Sequence, residues 1–125
     1  MRTNVFTAKA PKPIGPYSQA VHAGKFLFVS GQLPIDPKEG EIVVSTITLQ
    51  TRQVMENIKA ILEAAQYSLK DVVQVTVYLS SMALFDEFNR EYARFFSGEF
   101  PARAALGAES KAGALVEIFV VAYKD

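Results

Sequence analysis

The sequence predicts an α+β fold in which a mixed sheet of five or six strands carries two helices on one face. Apolar residues between 46 and 65 recur at helical spacing, and an aromatic stripe runs from Phe85 to Phe96. Alternating or β-branched runs at 17–31, 72–79 and 115–123 read as strands. With 125 residues, half of them hydrophobic, the chain suits one domain over residues 1–125 with a substantial core.

Taken in order, Lys12-Pro13-Ile14-Gly15-Pro16 is a loop of set shape, because two prolines fix φ and remove ladder donors. Tyr17 to Ala23 and Phe26 to Gly31 read as strands joined at Ala23-Gly24-Lys25, where Gly24 supplies the positive φ of a tight hairpin. In the second of these, Phe26, Phe28 and Ser30 share a face. Pro34, Pro37 and Gly40 mark a loop before a short strand at Ile42 to Val44. From Thr46 to Ala65, Ile47, Val54, Met55, Ile58, Ile61, Leu62 and Ala65 form one stripe and Arg52, Glu56, Lys59 and Glu63 fall elsewhere. That is an amphipathic helix, capped by Ser45 or Thr46. It reads as a crossover to the strand Val72 to Leu79. Ser80-Ser81 opens a second helix, whose Phe85, Phe88, Tyr92, Phe95 and Phe96 face the core and which Gly98 stops. A short strand at Ala104 to Ala108 and a final one at Leu115 to Tyr123 complete the set.

The final strand is apolar on both sides, with Leu115, Phe119 and Val121 on one and Val116, Ile118 and Val120 on the other. Two helices cover one face of a sheet, so the other is left for a second copy, and a homo-oligomer is expected.

Composition narrows the chemistry. Thirteen basic and thirteen acidic residues cancel, which gives nucleic-acid binding through phosphate neutralisation little support. The absence of cysteine removes disulfides, thiolate nucleophiles and zinc-thiolate sites, and the single His22 leaves no His-rich metal site. There is no Gly-rich phosphate cradle, dinucleotide fingerprint or calcium-type carboxylate cluster, so neither metal nor cofactor is expected. The first residues lack a signal-peptide pattern and no run approaches a membrane span, so the expected location is cytoplasmic, with no membrane partner.

Two charged residues stand out. Glu117 interrupts the apolar run Leu115 to Val121, where a lone carboxylate is costly unless it reaches solvent at an edge or serves chemistry. Partly buried, it would orient water or exchange protons. Arg103 follows Pro101 in Phe100-Pro101-Ala102-Arg103, so its backbone is held extended; it is either a surface arginine lying over Phe100 or a fork for a planar carboxylate. Ser30, in Val29-Ser30-Gly31-Gln32, lacks the strained elbow and adjacent base of a nucleophile and reads as a hydrogen-bonding hydroxyl. Gly31 admits close approach of a ligand to the backbone. Tyr17 either presents its ring to a small ligand or packs on the loop it follows, and His22 reads as a half-exposed strand residue.

Ala10-Pro11-Lys12-Pro13-Ile14-Gly15-Pro16-Tyr17-Ser18-Gln19-Ala20, Phe28-Val29-Ser30-Gly31-Gln32-Leu33-Pro34, Gln53-Val54-Met55-Glu56-Asn57-Ile58 and Phe100-Pro101-Ala102-Arg103 together resemble the RidA (YjgF) family of reactive enamine/imine deaminases, in order over nearly the whole chain. The resemblance implies a chorismate-mutase-like fold and a homotrimer whose sheets line a central barrel, with ligand clefts between subunits. It implies cofactor-free hydrolysis of 2-aminoacrylate and related 2-imino acids to 2-keto acids and ammonia. That is a 2-iminobutanoate/2-iminopropanoate deaminase activity, which would remove by-products of pyridoxal-phosphate-dependent dehydratases. In it Arg103 would hold the substrate carboxylate, Glu117 would position water, and Tyr17, Ser30 and the Gly31 backbone would complete the pocket. A non-catalytic module binding small carboxylates or 2-keto acids is the alternative, and an RNA-acting translation inhibitor a further one. Two departures stand against the family pattern: Ala105 occupies a position where many members carry cysteine, and Ala108 to Ala114 replaces the usual Arg-Leu-Pro segment.

Overall fold

The computed structural model describes residues 2–43, 45–110 and 113–125. The main sheet has six strands in the order β1-β2-β3-β8-β6-β7. Its members are β1 (Arg2–Val5), β2 (Ala20–Ala23), β3 (Phe26–Gln32), β6 (Val72–Leu79), β7 (Ala102–Gly107) and β8 (Val116–Tyr123). A separate two-stranded ribbon joins β4 (Ile35–Asp36) and β5 (Glu41–Ile42). The expected strand at Ile42 to Val44 therefore begins and ends earlier, and Val44 lies outside the described residues.

Helix α1 (Ile47–Ala64) begins where expected, with the Thr46 hydroxyl accepting from the Leu49 N–H at 3.2 Å. It links β3 to β6, which are both antiparallel to β8 and flank it, so the expected crossover passes over a third strand. Among the described residues the one parallel pair, β6 with β7, is joined through α2 (Phe85–Ala93). Ser81 caps a short 3₁₀ turn ahead of α2, which ends at Ala93 rather than running on to Gly98. Arg94 to Phe96 still continue as turns whose N–H groups reach back three residues.

Both helices pack on one face of the sheet. Val54, Met55, Ile58, Ile61 and Leu62 of α1 and Phe88 of α2 are buried with Leu27, Val75, Val77, Val116, Ile118 and Val120. Burying a side chain of this size contributes about 2 kcal/mol, so this face carries most of the stability. A buried carboxylate ties the helices to each other: Glu91, 4% exposed, takes Arg52 Nε at 2.9 Å and Arg94 Nη1 at 2.9 Å.

The other face is bare. Phe26 and Phe28 are 43% and 47% exposed, and beside them Tyr78 stacks on Phe119 at 5.9 Å. The alternation expected for the final strand holds, since Val116, Ile118, Val120 and Ala122 are buried against the helices while Glu117, Phe119 and Val121 turn to the bare face.

The strand drawn from Tyr17 begins only at Ala20, because Tyr17 to Gln19 are held as a loop by side chains. The Ser30 hydroxyl donates to Ser18 O at 2.6 Å, and the buried Gln19 amide donates to Thr7 O, Ala10 O and Pro11 O while its oxygen accepts from Thr7 N–H. The strand at β1 was not expected, since Arg-Thr-Asn-Val has one apolar residue and lies at the sheet edge.

Candidate active site

Glu117 stands on β8 opposite Tyr78 of β6, facing the bare side of the sheet. Next to it on β3 is a register shift between Val29 and Gln32, a bulge that brings Gly31 against the carboxylate. A Cβ built on Gly31 would collide with Glu117 Oε2 and lie 3.2 Å from Cδ. A glycine at 31 is thus what allows the carboxylate to lie flat on the neighbouring strand. Burial pushes the Glu117 pKa above the ordinary carboxylate value, as expected for an ion with few polar neighbours.

Above it opens a cavity of about 590 Å³, walled by Ile14 to Tyr17, by Ser30, Gly31 and Leu33, and by Glu109 and Ser110. The loop wall is fixed from below. Tyr17 packs on its own loop, its hydroxyl accepting from the Ile14 N–H at 3.3 Å, and it also lines the cavity. Ser30 spends its proton on Ser18 O and acts as a brace for that loop. Asn57 of α1 donates to Leu33 O and Ile35 O, and Gln50 bridges Val43 O and Leu115 N–H.

Arg103 is the second residue of β7 and pairs with Val75, whose side chain is buried toward the helices, so Arg103 points to the helical face. There the guanidinium lies over the rings of Tyr92, Phe85 and Phe88 at 4.9, 5.5 and 5.7 Å. Its Nη1 donates to Asn89 Oδ1 at 2.8 Å. It makes no ion pair among the described residues. A second cavity, about 430 Å³, is lined by Asn89, Tyr92, Ala93, Phe100, Pro101 and Arg103. Burial pushes the Tyr92 phenol up, and the Arg103 charge partly offsets it.

Within one chain, then, Glu117, Tyr17, Ser30 and Gly31 meet in one cavity, and Arg103 lies in another on the opposite face of the sheet. His22 takes no part in either: it is half-buried, with Nε2 2.9 Å from the Tyr67 hydroxyl, which itself donates to Lys25 O. Asn89 and the aromatic bed under Arg103 escaped the sequence reading. The signal available was a polar residue between Phe88 and Tyr92 on a helix whose aromatics otherwise read as core. Gln50 and Asn57, seven apart on the apolar stripe of α1, gave a comparable signal for the loop supports.

A mixed six-stranded sheet, helices on one face and a cavity holding a carboxylate on the other define a small α+β single-domain class. The family model described as Endoribonuclease L-PSP matches residues 7–124. A RutC family protein of Pyrococcus horikoshii is 57% identical over 126 residues, covering 100% of both chains. The structure of RidA from the Antarctic bacterium Psychrobacter sp. PAMC 21119 is 41% identical with a TM-score of 0.94, covering 98% of this chain and 99% of that one. That of E. coli TdcF with bound serine is 33% identical with a TM-score of 0.94, again covering 98% and 99%. The chain belongs to the RidA (YjgF) family. No helix among the described residues is long and apolar enough to cross a membrane.

Proposed function

We propose that this protein is a hydrolytic deaminase that converts 2-aminoacrylate, 2-iminopropanoate and related small imino acids to 2-keto acids and ammonia. The observation that carries the reading is the division of complementary chemistry between two cavities: Glu117 in one without a cation among its described lining residues, Arg103 in the other without a carboxylate. A site needing both is completed when the Arg103 face of one copy closes over the Glu117 cavity of the next. The bare apolar sheet face supports such an assembly, a homotrimer with sheets turned inward around a barrel. The serine held by TdcF, a small amino acid with an α-carboxylate, suits the same chemistry.

In this site the Arg103 fork holds the substrate carboxylate, with Asn89 and the three rings restricting its orientation. Glu117, its pKa lifted by burial, accepts a proton from water as the water oxygen bonds to the iminium carbon and the C=N π pair moves to nitrogen. Returning that proton to nitrogen makes it a leaving group; the C–N bond breaks as the hydroxyl proton passes to Glu117 and the keto C=O forms, and the departing ammonia takes that proton and leaves as ammonium. No cofactor is required, because the iminium carbon is already electrophilic and positioning supplies most of the acceleration. The same reading makes removal of a dehydratase's reactive by-product the physiological task and the cytoplasm its place.

Serine supplied to a dehydratase generates the enamine in situ, and keto-acid release is followed with and without this protein. Arg103→Ala and Glu117→Ala are each expected to reduce the acceleration to background. Wild-type acceleration by Arg103→Ala would sink the proposal, and binding of pyruvate with no acceleration by the wild type would replace it with a carboxylate-binding module.

A further inference from the structure

The Glu117 cavity contains a second carboxylate that the proposed mechanism does not use. Glu109 lies on the segment after β7 and lines the same cavity, and among the described lining residues the two charged side chains are both acids. Glu109 is exposed and makes no ion pair among the described residues, so its charge acts on whatever enters. In the single chain the cavity measures about 590 Å³, of which the copy that brings Arg103 takes up part. The remaining space is bordered by Ile14 and Leu33, both apolar, and by Glu109.

We infer that Glu109 is a specificity-determining residue: the site accepts imino acids with long apolar or cationic side chains and rejects those whose side chain is anionic. This rests on the proposed deaminase reading. The substrate's own carboxylate is drawn to Arg103; a second carboxylate on the side chain would face Glu109 and Glu117 with no cation among the described lining residues of the cavity to receive it. The cost is electrostatic. Two like charges about 4 Å apart in a water-exposed site oppose binding enough to change affinity by roughly fivefold to tenfold, and the opposite sign gains a similar factor.

Amino-acid oxidases acting on arginine, methionine and glutamate supply cationic, neutral and anionic 2-imino acids, and keto-acid release above the spontaneous rate gives kcat/KM for each. Wild-type protein is expected to favour the arginine-derived over the glutamate-derived imine by at least tenfold at low ionic strength, the ratio shrinking as salt is added. Glu109→Gln should lower that ratio by about fivefold to tenfold, and Glu109→Lys should lower it further or invert it. A ratio unchanged in both variants, with methionine-derived imine still turned over, overturns this inference alone. Wild-type protein inert toward all three imines and toward the serine-derived enamine overturns the deaminase reading and this inference with it.

Discussion

Replacing Gly31 by alanine tests the catalytic geometry without replacing a charged group. The backbone at Gly31 is not in the left-handed region, so alanine brings no conformational strain, and the three heavy atoms nearest the new methyl all belong to Glu117. Its carboxylate must retreat by about 1 Å to reach ordinary van der Waals separation. Because the obstacle is the far end of a flexible side chain, the stability change should stay within about 1 kcal/mol, the entropy gain from removing a glycine offsetting the displacement. Activity should fare worse. A 1 Å misplacement of a catalytic group costs about a hundredfold in rate, or roughly 2.7 kcal/mol of barrier. The dehydratase-coupled assay reads kcat, and urea unfolding reads stability on the same preparation. Wild-type kcat in Gly31→Ala would refute the placement of the reacting water at Glu117. A stability loss above about 2 kcal/mol would show instead that residue 31 is a packing position.

Two further outcomes follow from the ionised groups. Glu117 must be deprotonated to accept a proton from water, and burial holds its pKa up, so kcat/KM should fall on the acid side through an apparent pKa above the ordinary ~4.3; a limb at or below that value would contradict the burial. Glu91 is held below the usual carboxylate range, chiefly by its hydrogen bond to Arg52 and against the opposing effect of burial, so its contribution to stability is present above the unfolded value of ~4.3 and is lost as pH falls through its lowered folded value. Glu91→Gln should cost about 1–3 kcal/mol in urea unfolding near neutral pH, with the gap to wild type narrowing below about pH 4; an equal loss at both pH values would refute the ion-pair account.

What the sequence disclosed and what it hid divide along a physical line. Helix α1, β6 and β8 were legible because each is held by a periodic apolar face, and periodicity survives in one dimension. The hairpin at Gly24 was legible because its φ of +60° favours glycine. Tyr17, Ser18 and Gln19 alternate in sequence as a strand does, while what unpairs them is the Gln19 amide reaching carbonyls eight to twelve residues away. The aromatic stripe of α2 continues through Phe95 and Phe96, where three-residue turns replace the four-residue hydrogen bonds of the helix. Glu117 and Arg103 were found as anomalies in their local runs, yet neither run says which face of the sheet it shows. That depends on register with β6, where Val75 and Tyr78 point to opposite sides.

That separation has a genetic meaning. In the proposed ring of three, every chain lends its guanidinium to one neighbour and its carboxylate to the other. An allele disabling both halves would therefore silence two pockets out of three when a single defective copy joins two sound ones, so injury spreads further than the fraction of damaged protein would suggest.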